Sequence, residues 1–241
     1  MRKLIIALLL IPLMACAIIP KDERTDGDPF ESFNRSMLNT HLVLERWVLD
    51  PLSSAYNTLP RPIRNGTSNF LSNILSPLTL VNDLLQGNVK QAGKTFARFF
   101  INTIWGFGGV MDFAAMNGLE ARKEDFGQTL AVYGIPQGPY LFIPLLGPTS
   151  FRDMTGRGLS IIGNPIRYND VARPTTIPRN ILHGVDVYAR NKEFIKEAEK
   201  TSIDYYTTIR TLYLQNRQNQ IDNGKTDIDT LPDIDDIDGI E

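Results

Sequence analysis

Apolar residues recur at helical spacing through most of the chain, and proline and glycine punctuate them. Phe30, Phe33, Met37, Leu44, Trp47 and Val48 predict an amphipathic helix that stops before Pro51. It opens on Asp28-Pro29-Phe30-Glu31, with Asp as the cap, Pro in the first helical position and Glu at N3, a capping-box pattern. A short segment, residues 52–59, ends at Pro60-Arg61-Pro62. Ile63, Phe70, Leu71 and Ile74 mark a second helix stopped at Pro77, and Ser76-Pro77 opens a third with Leu80, Val81, Leu84 and Leu85 on one side and Gly87 at its end. Asn88 caps the next helix, where Val89, Ala92, Phe96, Phe99, Phe100 and Ile104 face away from Lys90, Lys94 and Arg98. Gly106-Phe107-Gly108-Gly109 breaks that helix, and short helices are predicted over 110–116 and 123–133.

Residues 134–150 break the pattern. Pro136, Pro139, Pro144 and Pro148, with Gly134, Gly138 and Gly147, exclude a regular helix or a central strand. Between them stand Tyr140, Leu141, Phe142, Ile143, Leu145 and Leu146, an apolar content unusual for a loop. Ser150 and Asp153 restart a helix that runs through Ile162. Beyond a Pro-rich connection at 165–178, long helices are predicted over 179–200 and 202–217, the last with Ile203, Tyr206, Ile209 and Tyr213 facing one way. At least seven helices with little strand signal predict an all-α fold in a single domain.

The N-terminus adds a destination. Arg2 and Lys3 precede an apolar run from Leu4 to Met14, the arrangement of a secretory signal peptide. Leu13-Met14-Ala15-Cys16 resembles a bacterial lipobox, which predicts cleavage after residue 15 and lipid attachment at Cys16, the one cysteine of the chain. Several acyl chains at about 0.8 kcal/mol per buried methylene anchor a protein almost permanently. Residues 16–27 then read as a tether, 28–217 as the helical domain and 218–241 as a disordered acidic tail. That tail holds seven acidic residues from position 226 onward and no basic one, so the formal net charge of −2 conceals a mildly basic body. Such a body suits anionic headgroups and is too weakly charged to argue nucleic-acid binding. The longest apolar region, 96–116, is broken by Arg98, Asn102 and Asp112, so no convincing membrane span follows the signal peptide.

Candidate chemistry is sparse. His41 and His183 are the two histidines, with no His-Glu-x-x-His and no second cysteine, so no metal or haem site is expected. No Gly-x-Ser-x-Gly or Walker A sequence occurs, and Gly106-Phe107-Gly108-Gly109 lacks the spacing of a dinucleotide fingerprint. The reading is of a non-enzyme without cofactor. Exposed apolar surface around 139–148 and 106–109 points instead to a partner or a membrane.

Several motifs taken together resemble the MlaA (VacJ) family of outer-membrane lipoproteins. They are Asp28-Pro29-Phe30-Glu31-Ser32-Phe33-Asn34-Arg35, Arg64-Asn65-Gly66 with Ser68-Asn69-Phe70, and Val81-Asn82-Asp83 with Leu85-Gln86-Gly87. Phe99-Phe100-Ile101-Asn102-Thr103, Asp125-Phe126-Gly127-Gln128-Thr129-Leu130 and the stretch from Tyr133-Gly134 to Phe151-Arg152-Asp153 follow in family order. The resemblance implies a ring-like helical protein in the periplasmic leaflet of the outer membrane, with an amphipathic channel. It implies removal of mislocalised phospholipids from the outer leaflet, delivery to a soluble periplasmic carrier, and association with trimeric porins. Ala17 after the cysteine fits outer-membrane sorting. The rivals are a phospholipase and a structural lipoprotein that binds an envelope protein without moving lipid. Within the lipid-transport reading, Tyr140, Phe142, Ile143, Leu145 and Leu146 are expected to border the lipid path, with Arg152 attracting the headgroup phosphate.

Overall fold

The first helix does not stop before Pro51. In the computed structural model, which describes residues 28–163 and 176–222, α1 (Glu31–Leu44) passes through a π-helical turn (Glu45–Leu49) into α2 (Asp50–Asn57). A proline ring crowds the carbonyl four residues back, and the wider turn just upstream makes room for it. The same happens at Pro77, which lies inside one continuous helix, α3 (Arg61–Leu85), where two were expected. Packing along α4 (Val89–Ile104) outweighs the hydrogen bond lost there. The signal peptide, Cys16, the tether, residues 164–175 of the Pro-rich connection and the tail from 223 onward lie outside the described residues.

Caps fall where short polar side chains stand before apolar runs. Asn88 Oδ1 accepts the Gln91 N–H at 3.2 Å at the start of α4. α1 departs from its expected capping box: it begins at Glu31 with Phe30 in the cap position and no side-chain cap, and Asp28 Oδ1 accepts the Phe30 N–H at 3.0 Å in the turn before it. Asp112 opens the short α5 (Phe113–Met116), and Asp125 opens α6 (Phe126–Val132). α5 begins later than expected because Asn73 of α3 holds the preceding glycine turn, donating to Gly108 O at 3.4 Å. A Cβ on Gly109, whose φ is +96°, would come within 2.4 Å of Asn73.

The Pro-rich stretch forms a hairpin rather than an irregular loop. Strands β1 (Tyr140–Ile143) and β2 (Gly147–Ser150) pair antiparallel, from Tyr140 opposite Ser150 to Ile143 opposite Gly147. In a two-stranded sheet both strands are edges, which lets Pro148 sit in β2 without breaking a ladder on both sides. The chain continues through α7 (Phe151–Gly163), α8 (Thr176–Thr201) and α9 (Tyr205–Ile221). Tyr206, Ile209 and Tyr213 share the inner side of α9, but Ile203 lies in the turn before it and is fully exposed. The hairpin aside, the described chain is helical, as its sequence predicts.

Contacts between elements close into a circuit. α1 holds β1, β2 meets α7, α7 packs on α6, α6 touches α3, α3 meets α8, α8 lies along α2, and the π turn leads back to α1. α9 crosses this circuit, touching α6, β2 and α8. α7 approaches α6 so closely that a Cβ on Gly156 would come within 2.3 Å of the Gly127 nitrogen.

Candidate functional site

The hairpin divides the residues expected to border a path. Tyr140 and Phe142 point inward and form, with Leu38 and Tyr206, a buried cluster. The Tyr140 and Tyr206 rings meet edge-on at 6.0 Å, and His41 meets Phe142 edge-on at 5.4 Å. Ile143 is half-buried, whereas Leu145 and Leu146 at the tip are exposed. The tip is a turn closed by Leu146 N–H on Ile143 O at 3.1 Å, with Pro144 in the second position and Leu145 at φ +68°. Arg152 is buried, with Nε 3.4 Å from Asp153 Oδ1. Asp153 Oδ1 also accepts from Arg217 at 2.8 Å, and Arg152 Nη2 is buried without a hydrogen-bond partner, so the residue expected beside a phosphate lies inside the fold with its charge only partly matched. The alternation of a strand, invisible behind the prolines, sends Tyr140 and Phe142 into the core.

Elsewhere the interior is polar. Among the described residues twenty polar or charged side chains are buried against ten hydrophobic ones. Asn34 joins α1 to β1, Arg35 bonds Asp204 at 2.5 and 3.0 Å and lies over the Tyr206 ring at 4.5 Å, and Tyr206 donates to Asp28. Arg217 of α9 bonds Asp125 at 2.7 Å and Asp153 at 2.8 Å, and Tyr213 donates to Asp153 as well. Burial pushes the Asp125 carboxyl up, but Arg217 outweighs it and holds that carboxyl below its usual range. The Tyr188 hydroxyl lies 2.8 Å from both Glu45 and Asp50 and can give its one proton to either, while Lys196 reaches Glu45 at 2.7 Å. These ties satisfy groups whose burial is otherwise costly.

The outside is correspondingly apolar. On α4 the buried side chains are Ala92, Thr95, Arg98 and Asn102, and those turned outward are Val89, Phe96, Phe100 and Ile104 together with Lys90 and Lys94. Arg98, expected on a solvated face, instead bonds Asp112 at 2.8 Å inside. Phe96 stacks on Phe100, which meets Trp105 edge-on, in a row on the surface followed by Phe107 at 79% exposure. No helix among the described residues is long and apolar enough to cross a membrane.

A cavity of about 870 Å³ opens between α3 and the start of α8. Ile63, Phe70, Leu71 and Ile74 line its α3 side, Val110 and Leu182 face them, and Arg179 is the one charged residue in its lining among the described residues. Its volume lies within the roughly 300–1,000 Å³ typical of ligand sites. The sequence shows the apolar stripe of α3 but no sign that, among the described residues, α8 covers it only in part, so Arg179 goes unnoticed there. No group of three or more His, Cys, Asp or Glu able to hold a metal ion occurs among the described residues.

A family model described as MlaA lipoprotein matches residues 26–220. The intermembrane phospholipid transport system lipoprotein MlaA of Escherichia coli (strain K12) is 34% identical over 217 residues, covering 88% of this chain and 85% of that protein. Its namesake in Haemophilus influenzae is 33% identical over 207 residues, covering 83% and 81%. A solved structure described as "Structural basis for maintenance of bacterial outer membrane lipid asymmetry" superposes with a TM-score of 0.73 at 31% identity, covering 82% of this chain and all of the other.

Proposed function

The chain belongs to the MlaA lipoprotein family, and from that premise we propose that it removes mislocalised phospholipids from the outer leaflet of the outer membrane and passes them to a periplasmic carrier. It is held in the periplasmic leaflet by acylated Cys16, works beside trimeric porins, and moves lipid through an amphipathic channel. The observation that carries this reading is the inverted polarity of the fold. Thirty-seven large hydrophobic side chains are exposed among the described residues, while carboxylates and guanidinium groups pair inside. In water such a surface aggregates; against acyl chains the apolar faces are solvated and each internal ion pair stays shielded. Relatives named for intermembrane phospholipid transport support the same role. The transfer breaks no covalent bond, so the reading asks for no catalytic group.

Deleting the gene in its host tests the proposal. Phospholipid should accumulate in the outer leaflet, read by surface-accessible labelling, and the wild-type chain should clear it. Cys16→Ser should be exported but should neither stay in the outer membrane nor clear the lipid. An unchanged outer leaflet after deletion would sink the transport reading and leave a structural lipoprotein.

A further inference from the structure

The recess between α3 and α8 is an apolar groove edged by cations that have no counter-ion among the described residues. Ile63, Phe70, Leu71 and Ile74 stand along its α3 wall, a stretch of about 16 Å at the rise of an α-helix. Arg179 lines the α8 side and has no ion pair among the described residues. Lys123, exposed on the segment before α6 and likewise without an ion pair among them, lies close enough for its charge to act on His183 of α8, as does Arg179. The carboxylates beside these cations are already engaged: Glu124 by Arg122 at 2.9 Å, Asp125 by Arg217 at 2.7 Å and Asp186 by Arg190 at 2.9 Å.

The chain itself carries a segment of matching chemistry. From position 226 onward apolar residues recur at every third place, Ile228, Leu231, Ile234, Ile237 and Ile240, with acidic residues between them and no basic one. A period of three is that of the polyproline II helix, which places such side chains about 9 Å apart along one edge. Three of them in succession match the length of the α3 stripe. The point of attachment is close as well: Arg217, near the end of α9, bonds Asp125, two residues from Lys123. The stretch from Asp222 to Leu231 reaches up to about 30 Å.

We infer that the acidic tail docks in this recess, with Leu231, Ile234 and Ile237 against the α3 stripe and its carboxylates against Arg179 and Lys123. The guanidinium fork matches two carboxylate oxygens. Tethering favours the contact further: at an effective concentration of about 1 mM, a Kd of only about 0.1 mM keeps it closed roughly nine-tenths of the time. Docked there, the tail shields the recess and supplies the anions that its cations lack, in place of the unattached segment that acidic composition by itself predicts.

Hydrogen exchange on the full-length protein in detergent tests this, together with cross-linking by a carbodiimide, which joins an amine directly to a carboxylate. Tail amides between Ile228 and Ile240 should exchange about tenfold more slowly than those of an unprotected chain. Lys123 should be joined to a carboxylate between Asp227 and Asp238. Leu231→Asp, Ile234→Asp and Ile237→Asp together should return the tail to the unprotected rate, abolish that cross-link and speed exchange at residues 179–183. All three lie outside the helical body, so its circular dichroism should stay that of the wild type. Arg179→Gln should lower the tail protection severalfold. Wild-type tail amides at the unprotected rate would overturn the proposal and leave the recess to detergent or lipid. Protection that survives the triple variant would overturn it too, as would cross-links to other lysines and none to Lys123. None of these outcomes bears on the transport reading.

Discussion

Asn34 and Phe142 are bonded across 108 residues of chain: Asn34 Oδ1 accepts the Phe142 N–H at 2.9 Å, and Asn34 Nδ2 donates to Tyr140 O at 3.0 Å. The side-chain amide thereby serves β1 as a third strand would, donating and accepting as a peptide does. Asn34→Ala leaves a buried N–H and C=O without partners, each worth about 1–3 kcal/mol. The variant should melt well below the wild type in detergent and be cleaved faster by protease at the hairpin. A hairpin as resistant as that of the wild type would show that the pairing with β2 is enough.

Arg217 joins α9 to Asp125 and Asp153. Removing one partner of a buried ion pair costs about 3–5 kcal/mol because the remaining charge is stranded. Arg217→Ala should therefore be strongly destabilised. Arg217→Lys should recover little, since one ammonium cannot reproduce the forked contact with two carboxylates. Chemical denaturation of the two variants beside the wild type checks both statements.

Two glycines of α7 should behave oppositely. A Cβ at Gly156 meets the backbone of α6, whereas one at Gly158 meets nothing within 4 Å. Gly156→Ala should cost about 1–3 kcal/mol through overpacking. Gly158→Ala should be neutral or stabilising by up to about 1 kcal/mol, because alanine loses less entropy in a helix. Equal melting temperatures for the pair would contradict the close approach of α6 and α7.

Acidification should loosen the hairpin tip. His41 Nδ1 accepts the Leu145 N–H at 3.1 Å, which requires an unprotonated nitrogen, and burial holds the imidazole below its usual value of 6.5 despite Glu45, with Lys196 adding to the effect. The unfolded chain therefore takes up the proton first. Stability from this group is complete above that value and falls as the pH drops through it. Between about pH 7.5 and pH 5.5 the wild type should lose more melting temperature than His41→Gln. Asp83 and Glu124, raised mainly by burial, act in the opposite direction as carboxylates and are common to both proteins. Parallel pH profiles would remove His41 from the account.

Much of the secondary structure is legible in the sequence. Capping residues Asn88 and Asp125 stand where helices begin, and Gly87 stands where one ends with φ +73°. Prolines mislead it twice, at Pro51 and Pro77, because a helix well packed on its neighbours tolerates one missing hydrogen bond. They mislead it again at the hairpin, where strand pairing depends on Asn34, far away in sequence. Of the residues expected along a lipid path, Leu145 and Leu146 are exposed, while Tyr140, Phe142 and Arg152 are buried.

The sequence by itself determined that the chain is helical, that its helices are two-faced, and that its motifs resemble those of the MlaA family. Only the tertiary structure decided which face turns inward. Periodicity reports that Phe96, Phe100 and Ile104 share one side of α4 and Arg98 the other, but either side can face the neighbours. The choice lies with the partners of the polar side: Arg98 turns inward because Asp112 is there to receive it. The aromatic row turns outward because the interior side of α4 is already taken by paired charges.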